Sequence, residues 1–218
     1  MSLRPLPFRA AAVAAFVLVA TATSALSVVA PGDGRTFAIQ RNGEDIGHHT
    51  VTFARQGDRL DVRIKVEVDY RLLFIPLYRF EHEAHEVWVG GVLRELRAKT
   101  NDNGDIFDVV VLPNGSELLL SVNGEERDVG RNAVPSSLWR QDMARPGQLI
   151  DPADGAVMTV DVGDAKWEQI TVRGVSIRAR RYVMTGDLER ELWYDSAGMF
   201  VKVRFAGEDG SDLQFRML

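Results

Sequence analysis

The densest group of chemically capable side chains lies between Tyr78 and Trp88, where the chain reads Tyr-Arg-Phe-Glu-His-Glu-Ala-His-Glu-Val-Trp. His82 and His85 have the H-x-x-H spacing that binds metal when both residues sit on one helix face. The segment alternates polar and apolar residues, however, and in a strand these two imidazoles point to opposite sides. The set that does share a side is Arg79, Glu81, Glu83 and His85. Two carboxylates and an imidazole there could hold a divalent cation or do acid–base work. The same residues also describe a wet strand face with cross-strand charge pairs, which is the preferred reading, so no metal is assigned. The other side carries Tyr78, Phe80, His82, Ala84, Glu86 and Trp88 and should face an interior. A histidine and a glutamate placed there need partners or a cavity, because unpaired buried polar groups are costly. His82 and Glu86 are therefore the better candidates for a ligand pocket, with Tyr78, Phe80 and Trp88 as its walls.

Two further segments qualify. Leu72–Leu77 is a six-residue apolar run containing Pro76, which lacks a ladder donor and so marks a strand edge, turn or bulge. A buried connection is the favoured reading of it. The alternative is a greasy lip, with Phe74, at a pocket mouth or partner contact. Ser136-Ser137-Leu138-Trp139 sits in a proline-bounded stretch, where Trp139 either covers a cavity or plugs one end of the core. Thr100–Asp105 resembles a calcium loop only superficially. Counted from Asn101, Gly104 falls at position 4 and Leu112 at position 12, where an EF-hand needs Gly at 6 and Glu at 12.

Much chemistry is missing. There is no G-x-S-x-G elbow, no H-E-x-x-H, no phosphate loop and no dinucleotide-binding turn. The chain has no cysteine, which excludes disulfides, thiolate metal sites and a cysteine nucleophile. No cofactor is expected.

The elements that must carry these residues are strands. From Leu60 to Tyr70, the residues Leu60, Val62, Ile64, Val66, Val68 and Tyr70 alternate with Asp61, Arg63, Lys65, Glu67 and Asp69. Successive strand side chains point to opposite faces, so this is a half-buried strand. Asn42-Gly43, Gly90-Gly91, Asn103-Gly104, Asn114-Gly115, Asn123-Gly124 and Arg173-Gly174 separate further β-rich runs, as in a meander. Residues 130–154 contain Pro135, Pro146 and Pro152 and read as a long irregular connection with one helical turn near 137–143. The expectation is an all-β fold: a single domain over 35–218, with about eleven to thirteen antiparallel strands forming a barrel or strongly curved sheet.

The N-terminus reads as a targeting segment. Arg4 and Arg9 are the only charges before Asp33, an Ala/Val-rich run follows, and small residues stand at 20–25. These are the parts of a secretory signal peptide over 1–25, ahead of a flexible lead at 26–34. The protein is therefore expected in the periplasm or secreted, and soluble after cleavage. Of 26 basic and 31 acidic residues, the segment removes two arginines, leaving 24 against 31 and a net charge of −7. With no basic cluster, nucleic acid is not an expected partner.

Four stretches together resemble a known family: LLFIPLYRFEHEAHEVWVGGVL, TNDNGD, VPSSLW and the run from Arg178 to Met217. They are similar to a group of uncharacterised secreted bacterial proteins carrying a domain-of-unknown-function label, over roughly 37–218. The resemblance implies no activity, ligand or site residue. A looser architectural similarity is to the curved half-barrels that carry lipids across the periplasm, which bears on fold and not on function. The first functional expectation is a non-enzymatic binding or carrier protein for an apolar or amphipathic small molecule or lipid. The alternatives are an enzyme acting on envelope glycan or lipid through residues 81–86, and an interaction module with a filled core. Oligomeric state is not legible.

Overall fold

In the computed structural model the described residues are 34–218, so the signal-peptide assignment to 1–25 lies outside them. The first eight strands form one unbroken meander: β1 (Arg35–Arg41), β2 (Glu44–Gln56), β3 (Arg59–Leu72), β4 (Ile75–Val89), β5 (Val92–Asp102), β6 (Asp105–Asn114), β7 (Glu117–Val122) and β8 (Glu125–Gly130). The Asn-Gly steps turn it. Asn42, Asn103 and Asn123 have φ of 52°, 53° and 51°, and the following glycines are also positive. Two consecutive positive φ values make the tight turn whose twist matches paired strands.

Residues 131–156 are more ordered than their composition suggests. They contain β9 (Val134–Pro135), one 3-10 turn (Gln141–Met143) and β10 (Gly147–Ile150), with β9 running parallel to β10. The chain then continues as β11 (Val157–Val162), β12 (Lys166–Val172), β13 (Val175–Gly186), β14 (Arg190–Asp195), β15 (Phe200–Ala206) and β16 (Asp212–Met217). The sixteen strands exceed the eleven to thirteen expected, because the short β9 and β10 have no readable period. β11 and β12 lie end to end along the same side of β13, separated by an irregular step at 163–165.

All strands belong to one sheet, ordered β8-β7-β6-β5-β4-β3-β2-β1-β16-β15-β14-β13-β11-β10-β9, with β12 beside β13. Pairing of β16 with β1 (Phe37 opposite Met217, Arg41 opposite Leu213) joins the two halves. The ladder does not close. β8 and β9 are its terminal strands, and the seam near them is crossed by another contact. Arg127 donates to the Gly155 carbonyl at 2.7 Å.

The alternation places turns 42–43, 73–74, 103–104 and 123–124 at one end, here the Asn-Gly end. Turns 57–58, 90–91 and 115–116 lie at the other. Inside are two apolar clusters. One is built on β2–β8 and includes Val62, Trp88, Leu96 and Leu120; the other on β1, β10–β11 and β13–β16 includes Phe37, Leu192, Tyr194 and Phe200. Residues 136–144 enter between them from the second end. Trp139 packs into the first cluster, and Leu138, Met143 and Ala144 into the second. This segment is a plug, and it fills that end.

The favoured reading of Leu72–Leu77 as a buried connection is overturned. Leu73 and Phe74 form the β3–β4 turn and are 85% and 94% exposed, because β3 and β4 outrun both neighbouring strands there. A run of apolar residues does not by itself report whether anything lies opposite it.

Candidate functional site

β4 supplies the centre of the site. Its alternation turns His82, Ala84, Glu86 and Trp88 inward, and all four are buried. Glu86 is 0% exposed and is held by three donors: the Ser137 hydroxyl, Trp88 Nε1 at 2.7 Å and Trp139 Nε1 at 3.0 Å. Burial pushes its carboxyl above the ordinary range, opposed by those three bonds and by the charge of Arg140. Two of the donors come from the plug, more than fifty residues away in sequence. Glu86 is thus the polar anchor that fixes the plug against β4.

Tyr194 fixes the plug from the other side. Its hydroxyl reaches the carbonyl oxygens of Leu138 and Arg140, each at 3.1 Å. Gln141 donates to the Tyr182 hydroxyl at 2.5 Å. The plug is therefore tied to both half-cores, through its Ser137 and Trp139 side chains on Glu86 and through its Leu138 and Arg140 carbonyls on Tyr194.

Arg140 is the residue that this arrangement leaves unfinished. Its guanidinium lies over the Trp88 ring, 3.8 Å from the centroid, and pairs with Asp142 through Nε at 2.7 Å and through Nη2. Its Nη1 is buried and has no hydrogen-bond partner, and the residue is only 8% exposed. It borders a pocket of about 310 Å3 at the plugged end. Trp88, Leu93, Pro113, Leu118 and Val134 form apolar walls, and Arg131 and Asp142 stand beside Arg140. An apolar-walled concavity with a few convergent polar groups is the usual composition of a small-molecule site.

The remaining sequence candidates fall into three places. Arg79, Glu81, Glu83 and His85 lie on the outward face. Arg79 meets Glu81 at 2.5 Å, Lys65 meets Glu67 at 2.9 Å and Glu83 at 3.7 Å, and His85 Nε2 lies 2.9 Å from Asp61. The Arg59 guanidinium, aided by His85, holds Asp61 down at about 2. Glu81 and Glu83 border an open dish of about 370 Å3 with Lys65, Lys99 and Asn101. Among the described residues no three His, Asp or Glu side chains are grouped to hold a metal.

Tyr78, Phe80 and His82 form an inward-facing stack with centroid separations of 6.5 and 6.1 Å. His82 Nδ1 lies 2.9 Å from Thr100 Oγ1, and burial lowers its pKa to about 4. His82 and Glu86 stand four residues apart on one strand, roughly 13 Å by strand rise, so they share no site. Phe74 is at the Asn-Gly end, opposite the pocket. Trp88 lines the pocket, and Trp139 lies in the plug beneath it.

Sequence reasoning missed His49 and Arg140, and gave Ser137 no role of its own within the segment 136–139. His49 packs edge-on to Phe37 at 5.9 Å and against Phe215 at 5.4 Å, and burial brings it to about 3. Its signal was its place in the alternation with Val51 and Phe53. Arg140 has a weaker signal, the Arg-x-Asp spacing with Asp142 directly after Trp139.

A family model described as a domain of unknown function, DUF6134, matches residues 37–218. No curated protein matches the chain. Solved structures are also similar, two of them as follows. One is described as a beta-barrel-like protein of domain of unknown function DUF1849 from Brucella abortus; it is 8% identical with a TM-score of 0.59, over 85% of this chain and 94% of that one. The other, a DUF1089 family protein from Pseudomonas aeruginosa, is 9% identical with a TM-score of 0.38, over 79% of this chain and 89% of that one. At such identity the first similarity concerns the fold alone, and the second carries no argument.

Proposed function

The chain belongs to the DUF6134 family, which brings no activity with it, and on that premise we propose that it is a non-enzymatic binding protein of the periplasm. Its ligand is a small organic anion with an apolar body, seated in the pocket over the plug. The observation that carries this reading is that Arg140, whose buried Nη1 has no partner, borders an apolar-walled concavity. A buried donor without a partner is expensive, and a guanidinium matches a carboxylate in shape as well as in charge. Asp142 takes two of the guanidinium nitrogens, and the third is buried without a partner. At about 30 Å3 per water-sized group, the cavity has room for about ten non-hydrogen atoms. That size suits a medium-chain or aryl carboxylate better than a two-chain lipid.

The acid–base alternative has less support. Glu81, Glu83 and His85 are each paired with a neighbouring charge on an open face, and the inward His82 and Glu86 do not meet.

The test is calorimetric titration of the mature chain with octanoate and with octanol. Octanoate should bind and octanol should bind far more weakly. Arg140→Met keeps the stack on Trp88 and removes the charge, and should weaken octanoate roughly tenfold or more, the worth of a charge-assisted hydrogen bond. Equal binding of octanoate by the wild type and Arg140→Met would overturn this assignment of the site.

A further inference from the structure

We infer that the β3–β4 turn is a membrane-docking tip, and that its partner is the interface of a zwitterionic lipid bilayer. The inference is independent of the pocket, which lies at the opposite end.

The hairpin outreaches its sheet. The β2–β3 ladder stops at Gly47 opposite Val68, and the β4–β5 ladder stops at Phe80 opposite Asp102. Beyond those points β3 and β4 pair only with each other, from Asp69 opposite Arg79 to Leu72 opposite Ile75. The last supports are the Asn103 amide on the Arg79 carbonyl and Arg41 over the Tyr70 ring. Residues 71–77 stand free, a projection of roughly 10 Å by strand rise. Interfacial protein segments bury their apolar side about 5–10 Å deep, so the projection has the reach required.

Its composition is the reverse of a solvated turn. Leu73, Phe74 and Ile75 are 85%, 94% and 62% exposed, with Pro76 and Leu77 also exposed. Leu73 is the informative residue, because its φ is +58°. Among the described non-glycine residues, those with positive φ are Asn42, Leu73, Asn103, Asn123 and Arg173. Three are asparagine, the residue such a turn prefers. At the tip the chain places a leucine, against both the backbone preference and water. Neither the turn nor the core needs an apolar side chain there, so its use lies outside the folded chain.

The surroundings choose the partner. Behind the tip stands a collar in which Arg71 is paired with Asp69 and Arg79 with Glu81. With both arginines paired to carboxylates, the collar is polar and offers no free cation there to demand anionic headgroups. Tyr78 sits at the same level, partly exposed and close to Asp102, an apolar ring with a polar end, as aromatic residues stand at membrane interfaces. The tip is also convex and narrow. A flat protein surface would cover little of it, whereas a fluid bilayer can close around it.

The experiment uses the mature chain with neutral phosphatidylcholine/phosphatidylethanolamine vesicles. Wild type should co-sediment with them, equally at low and high salt. Phe74→Trp should bind as wild type, and its added tryptophan should be quenched by brominated lipid above the wild-type background. Phe74→Asp should lose roughly tenfold or more of the binding. Leu73→Asn, which suits the positive φ and should raise the melting temperature, should also weaken binding; the two readouts separate docking from folding. Absence of wild-type binding, no added quenching in Phe74→Trp, or binding that requires anionic lipid would each overturn the inference. So would a concentration-dependent dimer lost in Phe74→Asp with no vesicle binding, because the tip would then serve a second copy.

Discussion

Glu86 and His82 face the same interior and respond to pH in opposite directions. Burial lowers His82 to about 4 and His49 to about 3, from an ordinary value near 6.5. In acid the unfolded chain therefore binds protons first, and stability present above about pH 6.5 is lost as pH falls through 4. At about 1.4 kcal/mol per pKa unit, His82 alone accounts for roughly 3 kcal/mol of that loss. His82→Gln can keep a bond to Thr100 and should shrink the acid loss in urea titrations at pH 7 and pH 4. A difference unchanged from wild type would assign the acid sensitivity elsewhere. Glu86 is raised, so its contribution is full at low pH and declines as pH rises through its folded pKa. Glu86→Ala leaves the Trp88, Ser137 and Trp139 donors unpaired and should cost about 3 kcal/mol at neutral pH, with Glu86→Gln costing far less. Similar losses for both would mean that packing, and not donor satisfaction, holds the plug.

At the scale of elements, the β2–β3 pair depends on one glycine. A Cβ at Gly47 would sit 2.1 Å from the Glu67 carbonyl oxygen and 2.9 Å from Val68 Cα. The clash is with backbone and cannot be relieved by a rotamer change. Gly47→Ala should thus lower stability by about 2 kcal/mol or more, read from the denaturation midpoint; Gly43→Ala, which meets nothing nearby, tests only the positive φ at its own turn. The strands themselves were legible. Leu60–Tyr70 alternates cleanly, and the Asn-Gly steps at 42, 103 and 123 are turns because positive φ has few takers. The plug was less so. Trp139 as a core plug was one of two readings, but its anchor could not be paired from sequence, since Ser137 and Glu86 are 51 residues apart and neither alone announces the other. The apolar run at Leu72–Leu77 failed for a different reason: burial depends on neighbours, and here the neighbouring strands are too short to provide it.

Over the whole molecule, the plug belongs to both apolar clusters and the β1–β16 pairing joins the two sheet halves. The two halves should therefore melt together. Replacing residues 136–144 with a Gly/Ser linker should expose both clusters and raise binding of a hydrophobic dye well above the wild-type level. Hydrogen exchange should be slow in β1 and β16 and fast in β8, which pairs on one side only. Uniform protection across β8 and β1 would mean that the seam is tied more firmly than its contacts imply.

The open seam also bears on colloidal behaviour. A sheet that stops short of closing presents unpaired rows of backbone groups at β8 and β9, besides the free side of β12, and such edges recruit other chains. β9 is blunted by its two-residue length and by Pro135, which has no amide to offer. β8 relies on charge: its sequence is Glu-Glu-Arg-Asp-Val-Gly, with Glu125, Glu126 and Asp128 exposed. Charging of the buried His82 and His49 in acid loosens the interior and frees that edge, so acidification should drive edge-to-edge assembly. Light scattering should rise steeply there, and Glu126→Val should move the onset toward neutral pH.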